Sequence, residues 1–455
     1  MKIARQHAVS AALLAGLLLR VALILALRTY AGGATGAGAY EHAEIAAHVA
    51  RGEGFRFAFY NPTPLLTSQQ APAVPLLLAA CFGVAGIGAS GAYLLMELFQ
   101  AALACGAIWA AGGIGRRLWG DATGVAAAWV VALYPPLAYA VTRVQAVNWA
   151  ISFFMLGTLA VMAAWDSRGA ASGAPGERRH AIVWGCVAGV VLALGALGEP
   201  ILLAPTVLAV IVLAVGGAAR RRAATALAIS LVIVLAPWTI RNALVHHRLV
   251  AVKDTFWYVF WQGNNARATG TDKLRVAPAT AGALAWRWSP GGMERAMDAA
   301  RAQAKSIDTV IPPADLRVIE NTPTEIAKMG WFRTQSLVEL RADPLHYARM
   351  CAVRAWEMLW FDPTNPRSFA AAYRIPYLLL AALGIIGMAL GWRGLSAEWR
   401  IVAAMATGVI AVHVCIIMSA RFRLPLEALL AVPAGHALAR MAGAVKSASR
   451  RGLPA

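Results

Sequence analysis

Acidic residues are scarce in this chain, with 22 Asp and Glu against 41 Lys and Arg, a formal charge of +19. Charge of either sign is thin, at 14% of 455 residues, where soluble domains carry about 25%. That shortage excludes an ordinary water-soluble domain. Cysteine is equally sparse. Cys81, Cys105, Cys186, Cys351 and Cys415 are scattered, mostly in apolar segments, and show neither metal spacing nor a disulfide framework. The apolar runs do not alternate with polar residues, which argues against a membrane barrel, and no tandem repeat is present. The positive excess does not argue for nucleic acid, because it falls in short connections between apolar runs. That is the positive-inside pattern of membrane proteins.

What the chain does have is apolar length. Hydrophobic residues make up 59% of it, and the mean hydropathy is +0.60. Repeated Leu/Ala/Val-rich windows of about 20 residues predict an all-α polytopic membrane protein. Ten spans are expected, at about 10–29, 92–114, 122–141, 145–165, 182–198, 200–218, 223–240, 372–391, 401–419 and 424–441. The first is read as an uncleaved span, since Arg20 interrupts it and the run continues to Leu27. With ten spans, Lys2, Arg5, Arg116, Arg117, Arg168, Arg178, Arg179, Arg220–Arg222, Arg393, Arg400, Lys446, Arg450 and Arg451 all fall on one side, the cytoplasm. Two long segments, 30–91 and 241–371, then lie outside. The chain divides into an N-terminal transmembrane module (1–240), an external segment with surface helices (241–371), and C-terminal spans with a basic tail (372–455).

The first external segment opens with "YEHAEIAAHVARGEGF". Glu41, Glu44 and His48 share a helical face, Ile45 and Val49 lie beside it, and Gly52 and Gly54 end the helix. This suits a short helix resting on the bilayer with its carboxylates turned into a cavity, or a plain solvated helix. A carboxylate so placed can take a proton from an acceptor hydroxyl or amine. "APAVPLLLAACFGVAG" reads as a helix at the membrane surface. In the second segment, Thr322 is expected to cap a helix, with Pro323 in its first turn and Glu325 completing a capping box. Asp343-Pro344 ends that helix. Trp356, Trp360 and Phe361 read as interfacial anchors. Glu97, inside a span, reads as a structural partner for a basic residue such as Arg20.

Four motifs occur in order: "YEHAEIAAHVARGEGF" followed by "QQAPAVPLLLAACFGVAG", "LGEP", "APWTIRNALVHHRLVAVKDTFWYVFWQGNNARATGT" and "RFRLPLEALL". The chain thereby resembles the bacterial membrane glycosyltransferases of family 39 type. These are GT-C enzymes akin to protein mannosyltransferases and the aminoarabinose transferase. The resemblance covers most of the chain, is strongest at 40–86 and 235–271, and is weakest at 275–320. It implies a GT-C-like bundle in the bacterial inner membrane. The implied activity moves a sugar from a polyprenyl-phosphate-linked donor to an acceptor that the sequence does not name, with membrane lipids as the other partners and no nucleic acid. The class uses an acid of the first external loop as its base, which maps to Glu41 or Glu44; relatives often carry Asp there. A second acid often follows the third span, where this chain offers only Gln145 and Asn148. The class leaves room for a divalent cation, but that departure argues against a two-acid metal site.

By the same resemblance, the donor phosphate calls for external cations. Arg241 in "PWTIRN" and Arg421 and Arg423 in "RFRLP" are the candidates, since a guanidinium can fork onto phosphate. The alternative is that these arginines snorkel to lipid headgroups. Asn264 and Asn265 of "QGNN" either line the sugar site or form a turn beneath it, and His48 stands with the carboxylates. Two other classes remain. A transporter or flippase would place acids at mid-membrane and show inverted repeats, and a non-catalytic assembly subunit would lack the ordered acid, "PWTIRN" and "RFRLP" set.

Overall fold

The computed structural model describes residues 2–165, 175–274, 306–365, 368 and 371–450. Arg168, Arg451 and most of the stretch where the resemblance is weakest lie outside the described residues. The helices are α1 (Lys2–Leu27), α2 (Gly33–Ala37), α3 (Tyr40–Ala50), α4 (Ala73–Ala85), α5 (Ser90–Trp119), α6 (Asp121–Leu133), α7 (Pro135–Ala140), α8 (Ala146–Trp165), α9 (Pro175–Gly198), α10 (Leu203–Ala214), α11 (Ala218–His246), α12 (Phe256–Asn264), α13 (Pro313–Asn321), α14 (Glu325–Ala342), α15 (Pro344–Leu359), α16 (Ala371–Gly391), α17 (Trp399–Cys415) and α18 (Leu424–Arg450). One small hairpin, β1 (Arg56–Phe57) with β2 (Leu65–Leu66), pairs antiparallel in the register Arg56 to Leu66 and Phe57 to Leu65. The chain is an all-α, multi-pass membrane protein.

Seven of the helices are long and apolar enough to cross a membrane: α1, α5, α8, α9, α11, α16 and α18. Three expected spans are shorter. The 122–141 span breaks where Tyr134 turns extended (ψ 114°) ahead of Pro135, leaving α6 and α7 end to end. The 200–218 span starts late, after a 3-10 turn over Pro200–Leu202, and α10 stops at Ala214. The 401–419 span ends at Cys415. Others run longer than expected: α11 carries Pro237 within its 29 residues, and α9 already begins at Pro175, so Arg178 and Arg179 belong to a helix.

Small residues set the closest helix contacts. A Cβ on Gly387 of α16 would lie 1.7 Å from the Pro433 carbonyl of α18, and one on Gly189 of α9 would lie 2.4 Å from the Leu227 carbonyl of α11. Around these contacts Ala, Leu, Val and Ile of α5, α6, α8, α10, α17 and α18 form one continuous core. Arg20 is 1% exposed within it. Its guanidinium gives hydrogen bonds to the carbonyls of Gly16 and Ala132 at 2.9 Å and Val131 at 3.2 Å. The Glu97 carboxylate accepts from the Thr29 hydroxyl at 2.9 Å. Buried arginines in an apolar bundle need acceptors, and the carbonyls exposed near the α6–α7 break supply them.

The polar segments between the spans pack against each other. The apolar face of α3 does not rest on lipid: Ala43, Ala46 and Ile45 are buried, and the first two pack with Val74, Leu78 and Phe82 of α4 and Met96 of α5. Phe59, near the tip of the β1–β2 hairpin, lies edge-on to Tyr258 of α12 (5.1 Å between ring centres), within a cluster that includes Phe332 of α14. The expected capping box is also different. Thr324, not Thr322, caps α14 by accepting from the Ala327 amide at 3.3 Å, and Thr322 ends α13 instead. Glu325 does not turn back on its own helix end, because its carboxylate reaches a distant loop. Asp343 ends α14, as expected, and also caps α15, accepting from the His346 amide at 2.8 Å. Trp356 and Trp360 are exposed, but Phe361 is buried against Tyr373 and Tyr377.

Candidate active site

The site begins with a glycine. Gly38 has φ +65°, and a Cβ there would lie 2.3 Å from Nη2 of Arg143. Arg143 gives a hydrogen bond to the Gly36 carbonyl at 2.5 Å, the Val144 amide gives one to Ala37 at 2.8 Å, and the Gln145 side chain gives one to Gly38 at 3.2 Å. The turn before α3 is thus clasped to residues 143–145, between α7 and α8. This fixes where the first turn of α3, with Glu41, points.

Around that turn four polar side chains from distant parts of the chain meet. Gln70 gives a hydrogen bond to Glu41 Oε1 at 3.2 Å, and its own Oε1 accepts from Lys253 Nζ at 3.2 Å. On the other flank Arg421 donates to Gln145 Oε1 at 2.7 Å. His42, between these flanks, is 7% exposed, and its Nδ1 has no hydrogen-bond partner among the described residues. Burial pushes the His42 imidazole down to about 4; Glu41 opposes this shift, and Lys253 and Arg421 reinforce it. The ring is therefore neutral at physiological pH. The arrangement is a half-buried carboxylate joined through Gln70 to Lys253, an Arg421 held on Gln145, and between them a neutral imidazole with unused hydrogen-bonding capacity.

The other candidates have different surroundings. Glu44 accepts from the Ala58 amide at 3.0 Å and holds the end of the hairpin. His48 pairs with Glu53, outside the cluster. Arg241 does not join Arg421: it donates to the Thr67 carbonyl at 2.7 Å and the Phe55 carbonyl at 3.3 Å, with its guanidinium 4.9 Å from the Trp238 ring centre. Arg423 is 3% exposed. It bonds Glu427 at 2.6 Å, donates to the Trp360 carbonyl, and lies 3.7 Å over the Tyr377 ring. The three guanidinium groups therefore each have their own partners. Asn264 gives its amide to the carbonyls of Phe260 and Ile416 and accepts from buried Arg354 at 2.9 Å. Asn265 bonds Trp261 and Arg267 within its own turn. Both asparagines form a turn tied to α15 and α17.

Sequence reasoning missed Lys253, Gln70 and His42 as members of the site. Each lies inside a quoted motif, in "VKD", "QQAP" and "YEHAE", but the pairing of Gln70 with Lys253 spans 183 positions and no local pattern marks it. Among the described residues no three His, Cys, Asp or Glu side chains gather as a metal-binding group. A divalent ion at Glu41 would meet a single carboxylate that already accepts from Gln70, a thin donor set for it.

No family model matches the chain, and no curated protein is similar to it in sequence. Solved structures do resemble it. The apo oligosaccharyltransferase of Archaeoglobus fulgidus overlays with a TM-score of 0.55 at 13% identity, covering 98% of this chain and 52% of that one. The same organism's oligosaccharyltransferase AglB, in complex with an inhibitory peptide and a dolichol-phosphate, overlays at 0.52 and 15% identity, covering 100% of this chain and 52% of that one. ArnT from Cupriavidus metallidurans bound to undecaprenyl phosphate aligns at a TM-score of only 0.40 with 13% identity, over 97% of this chain and 79% of that one. The chain spans about half the length of the archaeal enzymes, and the likeness is one of fold: it shares the membrane fold of these archaeal oligosaccharyltransferases.

Proposed function

We propose that this protein is an inverting glycosyltransferase. It moves a sugar from a polyprenyl-phosphate-linked donor to an acceptor on the external face of a bacterial inner membrane. The observation that carries this reading is Glu41, held by Gln70 at the start of α3 with Lys253 and Arg421 on its flanks. Glu41 takes the proton from the acceptor hydroxyl or amine as that group attacks the anomeric carbon. The bond from the anomeric carbon to the phosphate oxygen breaks, and its electron pair leaves with polyprenyl phosphate. Lys253 and Arg421 meet the charge that grows on the phosphate, where cations stabilise the transition state more than the ground state. Neutral His42 adds a hydrogen bond without adding charge. A single displacement inverts the anomeric carbon. The likeness to AglB, which was solved with a dolichol-phosphate, supports a lipid-linked donor, and the long apolar helices suit one.

The test uses a deletion strain. Mass spectrometry of its envelope glycans, lipids and glycoproteins should show the loss of a sugar-bearing species. Wild type and Glu44→Gln should restore it, and Glu41→Gln should not, since losing a general base costs ~10²–10⁴-fold. An unchanged set of species in the deletion strain, or full restoration by Glu41→Gln, sinks the proposal. The sidedness is tested separately, in a background stripped of native cysteines. Thr63→Cys and Ala266→Cys, both at exposed positions, should react with a membrane-impermeant reagent from outside. Labelling of Ala266→Cys from the cytoplasm alone would overturn the topology.

A further inference from the structure

Glu325 is the first residue of α14 and is 7% exposed. Its carboxylate crosses to the loop after the hairpin. Oε1 accepts from the Ser68 amide at 2.9 Å, and Oε2 accepts from the Thr67 hydroxyl. Three further side chains hold the same two residues. Arg241 donates to the Thr67 carbonyl at 2.7 Å, Asn242 Oδ1 accepts from the Ser68 hydroxyl at 2.9 Å, and His246 Nε2 lies 2.8 Å from that hydroxyl. The Ser68 carbonyl accepts from the Asp254 amide at 2.9 Å. Thr67 and Ser68 are thereby fixed by α11, by the 250s segment and by α14. Two residues further on, Gln70 joins Glu41 to Lys253. The Asp254 amide bond also ties the residue next to Lys253 to this strap.

We infer that Glu325 is a positioning residue for the transfer reaction: it fixes the Thr67–Gln70 strap, and the strap fixes Gln70 between Glu41 and Lys253. The inference rests on the proposed function but concerns a residue that touches neither donor nor acceptor. A loop held by one anchor drifts, and a shift of about 1 Å at a reacting group costs on the order of 10²-fold in rate. The anchor is a carboxylate because both strap groups, an amide and a hydroxyl, donate. A glutamine in its place offers one acceptor and a misplaced donor. Burial pushes the Glu325 carboxyl up to about 7; the Thr67 and Ser68 bonds and nearby Arg241 oppose this shift, and Asp254 adds to it. Ionising Glu325 in its cavity therefore costs solvation, which the two strap donors offset.

The experiment uses the full-length protein with four variants: Glu325→Gln, Glu325→Ala, Gln70→Ala and the Glu325→Gln/Gln70→Ala pair. Three quantities are read: binding of undecaprenyl phosphate as a probe, the sugar-bearing species in the complemented deletion strain, and hydrogen–deuterium exchange of residues 65–70. Glu325→Gln should weaken probe binding through Lys253 by much less than it slows product formation, which should fall at least ~10-fold, and it should exchange faster at 65–70. The pair should be no slower than Gln70→Ala alone, because both changes release the same contact. Equal losses of probe binding and product, or additive losses in the pair, would overturn the inference. If Glu325→Gln does not fold, Thr67→Val removes one strap bond from the other side and must show the same split. An inactive wild type defeats the function and leaves the exchange result standing as a test of the strap. An active wild type with an unaffected Glu325→Gln defeats the inference alone.

Discussion

Thr67 and Gln70 stand three residues apart, yet the polar groups around them are of two kinds. Around Thr67 and Ser68 the partners are buried Glu325 and Asn242 with half-buried Arg241 and His246, and their hydrogen-bonding capacity is mostly spent on protein. Around Gln70 the partners Glu41 and Lys253 are half-buried, and among the described residues the neighbouring His42 Nδ1 has no hydrogen-bond partner. The same contrast separates Arg423, enclosed by Glu427, Trp360 and Tyr377, from exposed Arg421, which bonds the Gln145 side chain beside the Phe422 ring. Saturated clusters hold a shape. A cluster with capacity left over is where a ligand completes the set.

That comparison is open to test at the two arginines. Arg423→Ala leaves Glu427 as an unpaired buried charge and should cost ~3–5 kcal/mol of stability, enough to lose the folded protein in a detergent melt. Arg421→Ala should leave the melting temperature nearly unchanged while product formation falls ~10²–10³-fold, the scale of losing one charge contact in the transition state. If the two variants lose stability alike, the division between them is wrong. A smaller effect is expected at Ser68→Ala, which strips partners from Asn242 and His246 and should lower stability by ~1–3 kcal/mol, measured by denaturation in micelles.

Two gentler tests follow, and both use pH. Glu325 binds its proton up to about 7 in the folded protein against 4.5 for the free group. The folded state therefore keeps a proton that the unfolded chain releases, so this contribution is full below pH 4.5 and is lost as pH rises through 7. Glu325→Gln should flatten that part of the melting curve against pH. His42 runs the other way: held down to about 4 against 6.5, it costs stability as pH falls from 6.5 towards 4, and His42→Asn should remove the acid-side slope. Opposite slopes in the two variants sharpen the contrast; a common slope in both would dissolve it.

Much of the fold was legible because lipid leaves the backbone few options. Long Leu/Ala/Val runs had to become helices, and seven did so at spanning length. The Tyr134–Pro135 break was legible in principle, since the residue before a proline avoids the helical region. Glu41 and Glu44 were equally good by spacing, and only the tertiary contact with Gln70 separates them. Arg421 and Arg423 shared one motif, but a 3-10 turn over Ala420–Arg423 sends residues two apart to different sides. Glu325 followed the capping pattern from Thr322, yet Thr324 took the cap and left its carboxylate free for a loop more than 250 positions earlier, a separation of 257 to Ser68. Patterns of neighbours name the helices; they do not name partners that far away.

The clasp at Gly36–Gly38 sets an order of events during synthesis. Its partner Arg143 lies 107 positions later in the chain, so the turn before α3 stays unclasped until α7 has left the ribosome, although α4 and α5 are already there for α3 to pack on. Lys253 reaches Gln70 only after α11 is made, and Arg421 comes 276 positions after Gln145. Domains form from the N-terminus as the chain grows, and here the turn before α3 is clasped first, Lys253 follows, and Arg421 comes last of the three. A chain that stops between α8 and Arg421 therefore carries the Glu41 turn already clasped but lacks the Arg421 guanidinium.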